Sequence, residues 1–205
     1  PDEFIQIAEA TGQMVSIGNH IIKTTLKEIQ EVREKTDTSF QLSINISVKQ
    51  FMKIGFIDEL FDLIEENKVD KLLITLEITE NIFINDFEYI LTLLKELKNR
   101  KIKLSLDDFG TGYSSLSMLK KLPIDELKID KTFVDDILTD EDSKNMAQSI
   151  ISIGKQFKMS VLAEGIEELN QKELLHEIGC DLYQGYYFSK PIKKDDLILF
   201  IKESY

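Results

Sequence analysis

Six short apolar runs constrain this chain more than any other feature, because each turns polar at its carboxyl end and most are followed by a helical periodicity. The runs span 41–47, 72–79, 103–109, 126–131, 160–166 and 182–188. Helical patterns lie between them at 57–67, 86–100, 142–157 and 170–178, and another closes the chain at 195–204. A further pair opens it, at 1–11 and 17–35, while 115–123 has room for only a couple of turns. In the 142–157 helix, Met146, Ile150, Ile153 and Phe157 are spaced to line one buried face, and Gly179 marks the end of the helix before it. No Pro- or Gly-rich linker interrupts the alternation, so one α/β domain is expected.

The polar strand ends are Asn45, Glu77 with Glu80, Asp107 with Asp108, Lys128 with Asp130, Glu164 with Glu167, and Gln184. Parallel barrels assemble active sites at that rim, from residues on several strands. Period-two geometry puts Lys128 and Asp130 on one strand face, and Glu77 with Thr79 on another. Any one of these residues alone reads as a solvated turn; six strands sharing the pattern do not.

The Asp107-Asp108-Phe109-Gly110-Thr111-Gly112-Tyr113-Ser114-Ser115 stretch carries the sharpest signal. Adjacent carboxylates at a strand end raise each other's free energy unless a positive charge shares the site, and a divalent ion commonly supplies it. A dinucleotide-binding turn fits less well, because Ser115 stands at the third glycine position and two carboxylates would repel a pyrophosphate. Asp108-Phe109-Gly110 echoes a kinase element, but the chain contains no His-Arg-Asp catalytic loop. A helix-capping aspartate would explain one carboxylate, not two.

Composition narrows the chemistry. A net charge of −12 argues against gripping long nucleic acid, yet leaves room for a small phosphate-bearing ligand held through metal ions. The two histidines, His20 and His176, lie in helical patterns and do not suggest a His-based zinc site, so oxygen ligands for magnesium or manganese are expected. The lone Cys180 reads as a small buried residue in a reducing, cytoplasmic setting. No apolar run reaches membrane-spanning length, and no signal peptide opens the sequence. Pro1-Asp2-Glu3 suits the first turn of a helix whose cap is missing, which suggests a start inside a domain.

Taken in order and spacing, Ser43-Ile44-Asn45-Ile46-Ser47, Leu76-Glu77-Ile78-Thr79-Glu80, the Asp107 to Ser115 loop, Leu127-Lys128-Ile129-Asp130-Lys131, Ala163-Glu164-Gly165-Ile166-Glu167 and Gln184-Gly185-Tyr186-Tyr187-Phe188-Ser189-Lys190-Pro191 resemble the EAL-domain cyclic di-GMP phosphodiesterases. The resemblance implies an α/β fold, a (β/α)8 TIM-like barrel of EAL type, truncated at its N-terminus so that about six strands remain. Residues 1–205 would then be an EAL domain lacking its first two strands and the glutamate of the Glu-Ala-Leu motif. It also implies metal-dependent hydrolysis of cyclic di-GMP to linear pGpG with two divalent ions, Mg2+ or Mn2+, and little activity from these residues alone.

Carried over by position, Asn45, Glu77 and Asp107 are the expected ligands of one ion, with Asp107 bridging to a second held by Asp108. Lys128 and Glu164 would attend the attacking water, Gln184 and Asp130 the substrate, and Glu80 would anchor the loop after Asp108. That loop is associated in the family with dimerisation and regulatory coupling, so a homodimer and a linked upstream sensor or GGDEF domain are expected partners.

Simple electrostatics agree with these roles. An ion pair sharing a water lowers its pKa and flanks a scissile phosphate. Surrounding carboxylates should keep Lys128 protonated, which suits orienting or charge stabilisation better than proton abstraction and leaves Glu164 the better proton acceptor. Two rivals remain: a receptor or scaffold that binds cyclic di-GMP without cutting it, and an enolase-like barrel using strand-end acids, lysine and magnesium. The Asn45 ligand and the Asp-Asp-Phe-Gly-Thr-Gly loop weigh against the last.

Overall fold

The computed structural model describes residues 7–8, 10–84, 86–110 and 116–204. Six strands are hydrogen-bonded neighbours in chain order: β1 Leu42–Asn45, β2 Ile74–Thr79, β3 Lys103–Phe109, β4 Glu126–Ile129, β5 Ser160–Ala163 and β6 Leu182–Tyr183. The helices are α1 Met14–Thr36, α2 Val48–Phe51, α3 Phe56–Glu66, α4 Phe87–Asn99, α5 Leu116–Leu119, α6 Lys131–Asp135, α7 Glu141–Phe157, α8 Leu169–Glu177 and α9 Lys194–Ser204. All six expected strands are present, most of them trimmed. The Asp70 carboxylate accepts from the Leu72 amide and starts a 3-10 turn at Lys71–Leu73, which delays β2 to Ile74. Asp130 caps α6 instead of extending β4. The opening helix expected at 1–11 falls largely outside the described residues.

The chain divides into two compact units. In the first (1–76, 96–103 and 192–205), Ile22, Leu26, Ile29 and Val32 form the buried stripe of α1. Val32 packs with Ile198 and Ile201 of α9, and Lys194 pairs with Glu31 at 2.7 Å. Phe56, Ile57, Leu60, Phe61 and Ile64 bury one side of α3, and the Arg100 guanidinium lies 4.7 Å from the Phe61 ring centre.

The second unit (77–95 and 104–191) carries β3 to β6, which run parallel. Two aspartates fix strand entry here: Asp125 Oδ2 accepts from Leu104 N at 2.8 Å, and Asp181 Oδ2 from Val161 N at 2.9 Å. Helix α7 packs on β4 and β5 through Gly154, where a Cβ would lie 2.3 Å from Val161. Its buried face is Ala147, Ile150, Ile151 and Gly154, while Met146 is exposed. The expected stripe is thus turned about the helix axis, because the small residues let the sheet approach closely and make Ala147 and Gly154 the contact positions. Asp140 caps this helix, two residues before the expected start, by accepting from Ser143 N. Gly179, with φ +91°, ends α8 as expected. Cys180 is buried, and its thiol is pushed up to about 11, chiefly by that burial.

Candidate active site

Strand β3 does not run regularly into its loop. Leu106 pairs with Leu127 and Phe109 with Ile129, so three steps of β3 oppose two of β4. The extra residue makes a bulge at Asp107–Asp108, where Asp108 takes φ 55°, a conformation that strains a non-glycine residue. Its amide donates to Asp107 Oδ1 at 3.1 Å. A regular strand would send consecutive side chains to opposite faces. Here both aspartates reach groups at the end of β4: Asp107 meets the Lys128 ammonium and Asp108 the Asp130 carboxyl.

Lys128 is the centre of the site. Its side chain is only 2% exposed, and its Nζ lies 3.0 Å from Glu77 Oε2, 3.1 Å from Asp107 Oδ1 and 2.7 Å from Glu164 Oε1. An ammonium has three donors, and carboxylates from β2, β3 and the end of β5 take all of them. Burial is the largest single influence on Lys128 and favours the neutral amine. The combined fields of Glu77, Asp107 and Glu164 outweigh it and raise the pKa above the ordinary lysine value. Lys128 is therefore a fixed positive charge, protonated as expected from its carboxylate surroundings.

One positive charge does not balance three carboxylates. Glu164 shows the surplus: burial raises its pKa, Lys128 offsets part of that, and Asp107 and Glu77 raise it again. Asp108 is pushed up to about 6, first by burial, then by the Asp107 charge, then by its hydrogen bond with Asp130. Two carboxyl groups can hydrogen-bond to each other only by sharing a proton, which the raised value supplies. Asp130 also accepts from Thr132 N at 3.0 Å as the cap of α6. It is thus not a strand residue beside Lys128, although it does join the site through Asp108.

No three His, Cys, Asp or Glu side chains among the described residues converge as a ready metal cage. The donor set nonetheless fits a hard divalent cation, since every candidate ligand is an oxygen and the carboxylates outnumber the ammonium. Asn45, the expected neutral ligand, is the exposed last residue of β1 and belongs to the first unit. Glu80 is buried; its Oε1 accepts a long 3.5 Å bond from Gly110 N, and its Oε2 has no partner among the described residues. The loop it is expected to anchor lies outside the described residues from Thr111 to Ser115.

Gln184 and Glu164 border a cleft of about 230 Å3, with Lys131, Glu167, Gly185 and Tyr186. Gly185 is required there: a Cβ would lie 2.1 Å from the Ile166 carbonyl oxygen. Lys131, Gln171 and Tyr186 have no role expected from the sequence. Lys131 pairs with Asp135 at 2.7 Å and Glu167 at 2.8 Å, and its stem crosses Gly165, whose φ is +73°. Gln171 is the third residue of α8 and accepts from the Glu168 amide at the cap, but Glu168 is not one of the usual capping residues, so the sequence carries no clear signal for it. Neither exposed histidine belongs to the carboxylate cluster.

The family model described as "EAL domain" matches residues 1–191. The signaling protein YkoW of Bacillus subtilis (strain 168) is 40% identical over 203 residues, which cover 99% of this chain and 25% of YkoW. The solved structure of the PaMucR phosphodiesterase in a c-di-GMP complex aligns with TM-score 0.91 and 31% identity, over 96% of this chain and 80% of that one. The Klebsiella pneumoniae BlrP1 manganese/cy-diGMP complex at pH 6 aligns with TM-score 0.83 and 26% identity, over 95% of this chain and 49% of that one. The α/β architecture expected from the sequence, six strands of a TIM-like barrel of this type, is the one these structures share. The chain spans about a quarter of the length of YkoW and of other relatives it matches.

Proposed function

Because the chain belongs to the EAL domain family, we propose that it is the phosphodiesterase part of a longer signalling protein, cleaving one phosphodiester bond of cyclic di-GMP to give linear pGpG. One observation carries this reading: a buried lysine whose three donors meet carboxylates from three neighbouring strand ends. A stable core would not gather a charge surplus of that kind without use for it.

Two divalent ions, when bound, would lower the pKa of the attacking water and offset charge on the scissile phosphate. Glu77, Asp107, Asp108 and Asn45 are the residues that would hold them. Lys128 keeps Glu77, Asp107 and Glu164 directed at one point and brings a permanent positive charge beside an anionic substrate. It has no tendency to give up its proton, so it orients and stabilises but does not abstract. Glu164 joins the ammonium to the cleft, and its raised pKa moves it toward the range useful for accepting and returning a proton. Gln184 offers an amide to polar groups of the substrate at the cleft wall. Glu80 holds the backbone just after the two aspartates through Gly110.

Incubating the full-length protein with cyclic di-GMP and Mn2+ or Mg2+ tests the reading. The expected product is pGpG, abolished by a chelator. Binding without product would make the domain a cyclic di-GMP receptor, and the absence of both cleavage and binding would overturn both readings.

A further inference from the structure

We infer that Gln171 is a positioning residue for this site: from inside the molecule it holds the segment Glu164–Glu168 that carries the proton-handling glutamate. The inference rests on the phosphodiesterase reading for its activity arm only. Gln171 is 5% exposed, an unusual place for a side chain with four hydrogen-bonding sites unless its amide has work to do. Its Oε1 accepts from Glu167 N at 2.9 Å and from Glu168 N at 3.0 Å. Its Nε2 donates to the Val134 carbonyl of α6 at 3.1 Å. One amide therefore closes both free N–H groups ahead of α8 and ties them to a different helix.

The same segment is braced from its other side by backbone alone. Glu164 N donates to Ile129 O, Ile166 N to Gln184 O, and Tyr187 N to Ile166 O. These bonds fix the segment against β4 and against the turn after β6, but leave Glu167 and Glu168 to Gln171. The Lys131–Glu167 ion pair lies over the same stretch, but it is half exposed and so contributes little. Removing the Gln171 amide takes the protein acceptor from these two part-buried donors. The segment then frays from Glu168 back toward Glu164, whose carboxylate sits 2.7 Å from Lys128.

The test is Gln171→Met, which keeps length and apolar bulk while removing all three hydrogen bonds, compared with Ile90→Val, a core change of similar expected stability loss on α4. Amide hydrogen exchange by NMR on this chain reads the segment directly. Exchange at Glu167 and Glu168 should accelerate by about tenfold in Gln171→Met, beyond any change at the slowest core amides, and stay within about twofold in Ile90→Val. In the full-length protein, kcat for cyclic di-GMP should fall by about tenfold in Gln171→Met and not in Ile90→Val. Gln171→Glu, which keeps the acceptor and loses the donor, should restore the Glu167 and Glu168 protection in part.

Unchanged exchange at those two amides would overturn the inference. So would accelerated exchange with unchanged kcat, since the segment would then be held without positioning anything. A wild-type protein that neither cleaves nor binds cyclic di-GMP would instead defeat the phosphodiesterase reading, and the exchange comparison would still decide whether Gln171 holds the segment.

Discussion

Lys128 and Lys131 stand three residues apart and make ion pairs of nearly the same length, yet they belong to different physical regimes. Lys128 is 2% exposed and meets Glu77, Asp107 and Glu164 at 2.7 to 3.1 Å. Lys131 meets Asp135 and Glu167 at 2.7 and 2.8 Å, with all three side chains close to half exposed. Distance does not separate them; solvent does. Charges in water gain little from pairing and are screened by salt, whereas charges out of water depend wholly on their partners. The buried network is therefore where removing one group has consequences, and the exposed one is where it does not.

The largest expected effect follows from removing the buried ammonium. Lys128→Met should destabilise the chain by about 3–5 kcal/mol near neutral pH, because three carboxylates lose the charge they share. Burial and its carboxylate neighbours already raise the Glu164 pKa against the pull of Lys128, so losing the ammonium would raise it further above the unfolded value. The folded state would bind more protons, and the mutant would lose stability as pH rises through the gap. Urea denaturation at pH 7.5 and at pH 5 checks both halves: the deficit should be large at the first and smaller at the second. A deficit below about 1 kcal/mol at both would place Lys128 in the same class as Lys131 and break the comparison.

Glu164→Gln sharpens it from the other partner. The amide is close in shape and can still accept from Lys128, so the fold should persist while proton transfer is lost. In the full-length protein kcat should fall by about a hundredfold, with little change in the melting temperature. A fall in stability matched by no special loss of kcat would make Glu164 a structural counter-ion.

Much of this site was legible in the sequence because it depends on strand ends, which apolar runs mark well. Glu77, Asp107, Lys128 and Glu164 were each expected at a strand end, and they do converge. β3 has the bounds the sequence suggests. What stayed hidden depends on pairing partners that a single sequence does not display. The Asp107–Asp108 bulge exists through its register with β4, and the left-handed backbone of Asp108 goes with it. Asp130 left its strand because capping α6 satisfies an amide that the ladder would not. Likewise the α7 stripe turned toward Ala147 and Gly154, since the sheet rewards close approach at small residues more than bulk at Met146.

Asp108 gives a weaker effect with a definite sign. Its folded pKa of about 6 lies above the ordinary unfolded value of about 3.9. Between those values the folded state holds more protons than the unfolded one, so Asp108 adds stability at the acid end and withdraws it as pH rises toward 6. Asp108→Asn removes that titration. Without added metal, the variant's melting temperature relative to the parent should climb from pH 4 to pH 6 and level off above. A flat difference would mean that Asp108 shares no proton with Asp130.

The smallest expected effect is the one that completes the contrast. Lys131→Ala removes two ion pairs at once, both shorter than two of the three at Lys128. Because water already solvates all three groups, the melting temperature should drop by no more than about 3 °C. What remains of the drop should shrink further in about 0.5 M salt, since screening reaches exposed charges and not buried ones. The packing of the lysine stem over Gly165 sets a floor under the effect that salt cannot remove. A large, salt-independent loss would show that Lys131 holds the cleft through that stem rather than through its charge. It would move the boundary between the two regimes from the ammonium groups to the chain that carries them.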